Sequence, residues 1–127
     1  MFLVPVRLGL SPIHGFGVFA ADPIPAGTRV WEFTDGVDYR LAADVVERCP
    51  EPWKSDLLKY AYRDSTGDYI LCGDAARFMN HSDDPSCDDS GDLYTVARID
   101  IAAGQELTCD YRTFDLDWPE YADTLDG

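Results

Sequence analysis

Apolar and polar side chains alternate along this chain in short runs cut by turn residues. Leu3–Leu10, Gly17–Ala21 and Thr28–Phe33 read as β-strands in the first third, and Leu93–Ile99 and Glu106–Tyr111 read so near the end. Ala26-Gly27 and Ala103-Gly104 are turns that close hairpins or link neighbouring strands. Their surroundings match: Ala20, Ile24, Ala26 and Gly27 recur 77 positions later as Ala97, Ile101, Ala103 and Gly104. A single recurrence is chance or shared hairpin chemistry, not a repeat architecture. Helical spacing occurs twice. Leu41, Val45 and Arg48 share a face over Leu41–Arg48, with Asp38 near the start, and Pro52–Tyr60 opens on a proline suited to a first turn. The Asp-rich segment Asp83–Asp92 reads as a solvated loop. The pattern predicts a mainly β, α+β fold with few short helices.

At 127 residues, 46% hydrophobic and 13% aromatic, the chain has one core and no room for a second, so residues 1–127 are expected to form a single domain. The charge balance changes the picture more. Lys and Arg total 10 against 24 Asp and Glu, a net charge of −14. Phosphate neutralisation is unavailable to such a surface, so direct nucleic-acid binding is excluded and an anionic membrane disfavoured. A Lys/Arg-rich protein or peptide would be drawn in; alternatively the acidity serves only solubility or a salty cytoplasm. Neither a signal-peptide core nor a membrane-length apolar run is present, which predicts an intracellular, cytoplasmic protein. Cys49, Cys72, Cys87 and Cys109 lack zinc-ligand spacing, so reduced, partly buried thiols and no metal are expected.

Three segments depart from scaffold composition. Ser11–Ala20 contains His14-Gly15-Phe16-Gly17, where a Gly-x-Gly permits close backbone approach to a ligand or serves as a simple turn. Arg77-Phe78-Met79-Asn80-His81-Ser82 concentrates donors and acceptors without the spacing of a nucleophilic triad; Asn80 and Ser82 also suit capping and Asx-turn roles. Gly104-Gln105-Glu106-Leu107-Thr108-Cys109-Asp110-Tyr111 ends a strand in a tyrosine.

In order and combination, from about residue 7 to 112, these segments resemble the SET-domain family of protein-lysine methyltransferases. The resemblance implies a β-clip-like fold of small curved sheets, with the last two motifs forming a knot-like crossing. It implies S-adenosylmethionine as methyl donor, with no metal, and a basic protein substrate methylated on lysine. The turn His14-Gly15-Phe16-Gly17 would cradle the cofactor, Arg77, Asn80 and His81 would contact it, and Tyr60 would touch it. Tyr111 takes the catalytic tyrosine's place, and Phe33, Tyr62 and Cys109 join it in lining the lysine channel.

Several positions depart from the family pattern. Ser86 replaces an Asn, Asp35 a glycine, and Asp83 a cysteine of zinc-bearing members, so their zinc cap is absent. The tail 113–127 would cover the cofactor or the channel, with Phe114 or Trp118 as the lid over the adenine, or a homodimer would complete the site. Cys109 stands where relatives carry Phe or Tyr, which predicts room for di- or trimethyl-lysine. The alternative is a non-catalytic module that keeps the fold and binds a basic peptide or the cofactor alone.

Overall fold

A computed structural model describes residues 1–91, 93–113 and 115. β1 (Val6–Leu10) and β2 (Phe16–Ala20) form a hairpin, Val6 opposite Ala20 and Leu10 opposite Phe16. Its turn is closed by the Ser11 N–H donating to the Gly15 carbonyl at 2.8 Å, and Gly15 adopts a φ of 46° that disfavours a side chain. β3 (Arg29–Glu32) and β4 (Tyr39–Leu41) lead into α1 (Ala43–Glu47) and α2 (Trp53–Tyr60). β5 (Tyr62–Arg63), β6 (Tyr69–Leu71), a 3₁₀ turn (Ala75–Phe78) and β7 (Asn80–His81) follow. β8 (Cys87–Asp88), β9 (Tyr94–Ala97), β10 (Glu106–Cys109) and a second 3₁₀ turn (Tyr111–Thr113) complete the described order.

Three small sheets result, with strand orders β1-β2-β10-β7, β3-β9-β8 and β4-β6-β5. They enclose one cluster that includes Val18, Val30, Trp31, Met79, Ile101 and Leu107. Val18 and Leu107 face each other across β2 and β10 and are wholly buried, each worth roughly 1.5–3 kcal/mol of apolar burial. The helices are peripheral and held by single buried anchors, Val46 and Leu57.

The recurrence 77 residues apart has a structural meaning. Ile24 and Ile101 exchange both backbone hydrogen bonds at 2.8 Å. Gly27 N–H donates to the Ala97 carbonyl at 2.8 Å, and Gly104 N–H donates to the Ala20 carbonyl at 2.7 Å. Both glycines have a φ of 85°. Two equivalent turns thus grip each other about a local pseudo-twofold axis, tying β2 and β9 together. The two turns pair reciprocally.

The five strands predicted from alternation are present, four of them shortened and the second shifted by one residue to Phe16–Ala20. Three expectations are corrected. Leu41 belongs to β4 and not to a helix, because it pairs with Tyr69 across β6. Asp38 caps no helix; its carboxylate accepts from the backbone N–H groups of Thr34 and Gly73. The Gly73 backbone lies so close to this loop that a Cβ there would sit 1.7 Å from the Val37 carbonyl oxygen. The segment Asp83–Asp92 is not simply a solvated loop, since it contains β8 and buries Cys87. No helix among the described residues is long and apolar enough to cross a membrane. Phe114, Trp118 and Tyr121 lie outside the described residues.

Candidate active site

β10 brings the three sequence segments together. Glu106 and Leu107 pair antiparallel with Phe19 and Val18 of β2, and then Thr108 and Cys109 pair parallel with Asn80 and His81 of β7. Ser86 fastens the chain beyond β7 to the same strand. Its hydroxyl donates to the Glu106 carbonyl at 3.0 Å and accepts from Thr108 N–H at 2.9 Å, while its own N–H donates to Thr108 Oγ1 at 3.0 Å.

Asn80 is buried and acts on the Gly-x-Gly turn. Its Nδ2 lies 3.0 Å from each of the His14 carbonyl, the Phe16 carbonyl and Glu106 Oε2. Ser11 Oγ donates to Glu106 Oε1 at 2.8 Å, so one carboxylate braces both ends of the turn. Gly17 packs against that carboxylate, because a Cβ there would meet Oε2 at 2.5 Å. Glu106 was not among the residues singled out from sequence, although it stands inside the third segment.

Beside this turn opens a cavity of ≈ 1360 Å³. His14, Gly15, Phe16, Tyr60, Arg77, Asn80 and His81 border it at the turn, and Tyr62, Cys109 and Tyr111 border it elsewhere. Phe78 stands between Phe16 and Tyr60 in edge-on contacts at 6.0 and 5.4 Å. Gly17 and Phe33 are not on the cavity wall. Phe33 packs on the core with the Arg40 guanidinium 5.9 Å from its ring, and Trp31 reaches the cavity instead. β3 ends at Glu32, and beyond it Phe33 N–H donates to the Leu93 carbonyl at 2.9 Å.

His81 positions the tyrosine. Its Nδ1 accepts from the Tyr111 backbone N–H at 3.1 Å, which puts the ring proton on Nε2, 2.9 Å from Asp83 Oδ1. The Tyr111 hydroxyl donates to the Met79 carbonyl. Burial, with Cys109 and Asp115 nearby, raises the Tyr111 pKa well above the ordinary phenol value, so this group stays protonated. Burial likewise raises the pKa of Tyr62 and that of Cys109, and pushes the Cys72 and Cys87 thiols up to about 12. These thiols are packing groups and not nucleophiles. Among the described residues no group of three or more His, Cys, Asp or Glu is arranged to hold a metal ion.

The sequence pattern described as SET domain matches residues 15–112. The chain belongs to the SET-domain family. It is 34% identical over 122 residues to Histone-lysine N-methyltransferase ATX2 of Arabidopsis thaliana, covering 88% of this chain and 11% of that protein. It is 30% identical over 116 residues to Histone-lysine N-methyltransferase SETD1A of Homo sapiens, covering 84% and 7%. The SET domain described here therefore spans about a tenth of the length of such relatives. Among solved structures it resembles Chaetomium thermophilum Polycomb Repressive Complex 2 bound to GSK126, at 25% identity and a TM-score of 0.69, covering 95% of this chain and 17% of that one. A structure of ctPRC2 in an autoinhibited conformation bound to S-adenosylmethionine matches with a TM-score of 0.68 at 23% identity, covering the same shares. The small sheets and few short helices expected from the motifs are present, in a fold shared with these solved structures.

Proposed function

We propose that this SET domain, residues 1–127, transfers a methyl group from S-adenosylmethionine to a lysine side chain of a basic protein. The observation that carries the reading is the single cavity that extends from the Gly15 turn to Tyr111. Its ≈ 1360 Å³ exceeds the roughly 300–1,000 Å³ typical of one small-molecule site, leaving room for a cofactor and a substrate side chain together. The wall chemistry fits the cofactor: backbone at His14–Phe16 for its polar groups, and the Phe16, Phe78 and Tyr60 rings for adenine. When bound, S-adenosylmethionine supplies an electrophilic methyl on a positively charged sulfur.

The chain's own residues do the rest. Asn80 and Glu106 hold the turn in one shape, so the cofactor site exists before binding. Tyr62, Cys109 and Tyr111 enclose the amine away from water, which lowers the pKa of a lysine from its ordinary value near roughly 10.4 and frees a lone pair. Tyr111 is neutral with its proton directed at Met79, so its oxygen offers an acceptor that orients the amine, not a charged base. The names of the relatives support a histone-like substrate, and the charge of −14 suits one.

Radiolabelled S-adenosylmethionine and Lys/Arg-rich peptides test the reading. Label should enter lysine, and Tyr111→Phe should lower kcat by about ten-fold or more with cofactor affinity by calorimetry unchanged. A folded protein that binds the cofactor and labels no peptide would be the non-catalytic module, and one that ignores the cofactor would refute methyl transfer and leave only a module that binds a basic peptide.

A further inference from the structure

Among the described residues, two buried side-chain polar atoms lack a hydrogen-bond partner, Trp31 Nε1 and Asp89 Oδ2. Both residues line the cavity beside the Gly-x-Gly turn. A buried carboxylate oxygen without a donor is costly, and a native structure retains one where something outside the chain completes it. Asp89 is restrained: Thr95, on β9, donates its hydroxyl to Oδ1, which holds the carboxylate beside Tyr62 and Cys109. No Lys or Arg among the described residues forms an ion pair with it. The titratable groups that face it are Asp88 and Cys87 of β8, Tyr62 of β5, Cys109 of β10 and Tyr111, every one acidic or neutral. Beyond the Thr95 hydroxyl and the weakly donating Cys109 thiol, none of these groups offsets the negative charge of Asp89.

We propose that the Asp89 carboxylate is the counter-charge for a cationic side-chain amine entering this cavity, and so determines its preference for lysine over neutral side chains. The inference rests on the methyl-transfer reading and deepens it. An opposite charge within roughly 4–6 Å acts through a low-dielectric wall without direct contact, so Oδ2 need not leave its enclosed position. The ammonium first releases one proton to water, a step the carboxylate opposes and burial among Tyr62, Cys109 and Tyr111 favours; the N–C bond then forms, the C–S bond breaks and the positive charge passes from sulfur to nitrogen. A fixed carboxylate near the nitrogen favours that movement. Burial raises the Asp89 pKa to about 6, against the opposing pull of Thr95 and the Cys109 thiol, so the carboxylate is ionised above that pH and neutral below it.

The test uses n-butylammonium and the neutral n-butanol as probes, with binding followed by NMR. Wild-type protein at pH 8 should prefer the ammonium at least ten-fold, and Asp89→Asn should abolish the preference while keeping the side chain's shape. Wild-type protein at pH 5 should lose it too, a check that needs no substitution. No preference in the wild type, or an equal one in Asp89→Asn, overturns the proposal. In the transfer assay Asp89→Asn should lower kcat/KM for a lysine peptide at least ten-fold, mainly through KM, with cofactor affinity within two-fold. If transfer is absent and the Asp89-dependent preference is present, the methyl-transfer reading fails and this site stands. If transfer proceeds equally in both proteins, this site fails and the reading stands.

Discussion

Ser86 shows how a departure from a family motif is read through its bonds. In place of the family's Asn, a buried hydroxyl both donates to and accepts from the β10 backbone. The position still fastens this segment to β10, so the substitution gives no reason to expect a collapsed site. Cys109 is the other departure and has a different consequence. It is buried at the end of β10, on the cavity wall beside Asp89, and a thiol fills far less space than the aromatic rings of relatives. Wild-type protein should therefore carry lysine to the di- or trimethyl state, and Cys109→Tyr should shift the product toward monomethyl-lysine by mass spectrometry. A wild-type product that stops at one methyl would show that another side chain closes the channel.

The element that decides the site is β10, because it alone pairs with both β2 and β7. The Gly-x-Gly turn reads from sequence as a ligand loop, and the structure gives it an internal brace. Nδ2 of Asn80 has two hydrogens for three acceptors, two of them carbonyls of the turn. Asn80→Ala should therefore cost about 1–3 kcal/mol of stability even without cofactor, as buried acceptors lose their donor. It should also speed amide exchange at Gly15–Gly17 and weaken cofactor binding. Unchanged stability with weakened binding would instead make Asn80 a direct ligand contact alone. His81 is tied to Tyr111 in the same way, through backbone N–H and ring nitrogen, so the middle motif serves the third as much as it serves a ligand.

Across the whole molecule, the excess of acid is the feature no single contact explains. Among the described residues many of its ion pairs are exposed, as Arg98–Asp84 at 2.7 Å and Arg48–Asp44 at 3.3 Å, and such pairs contribute little to stability. If the net charge of −14 steers a basic substrate, KM for a Lys/Arg-rich peptide should rise several-fold as salt is raised from low to physiological strength. Screening then confines the field to about 8 Å. Cofactor affinity, governed by burial, should move much less. Salt-independent methylation would assign the acidity to solubility.

Local pattern alone was enough to place β1, β2, β3, β9 and β10, to mark both helices and to set three chemical segments in order. Each of those signals is contained in a few adjacent residues. The paired turns at Gly27 and Gly104 were visible as a recurrence, but only the fold shows that they bind each other. The two-residue strands β5, β7 and β8 are too short to carry a period of two; their partners, distant in sequence, make them strands. The same cause hid Asp89. In an acidic run it reads as one more solvated carboxylate, and it is taken from water only because β8 and β9 pair and fold it toward Thr95, Tyr62 and Cys109. Trp31 is on the cavity wall, whereas Phe33 lies beyond the end of β3 and packs on the core, a difference that no local pattern signals. Which residue types the chain brings to the chemistry was set by its sequence; which of them meet, and which lose water, was decided by long-range pairing.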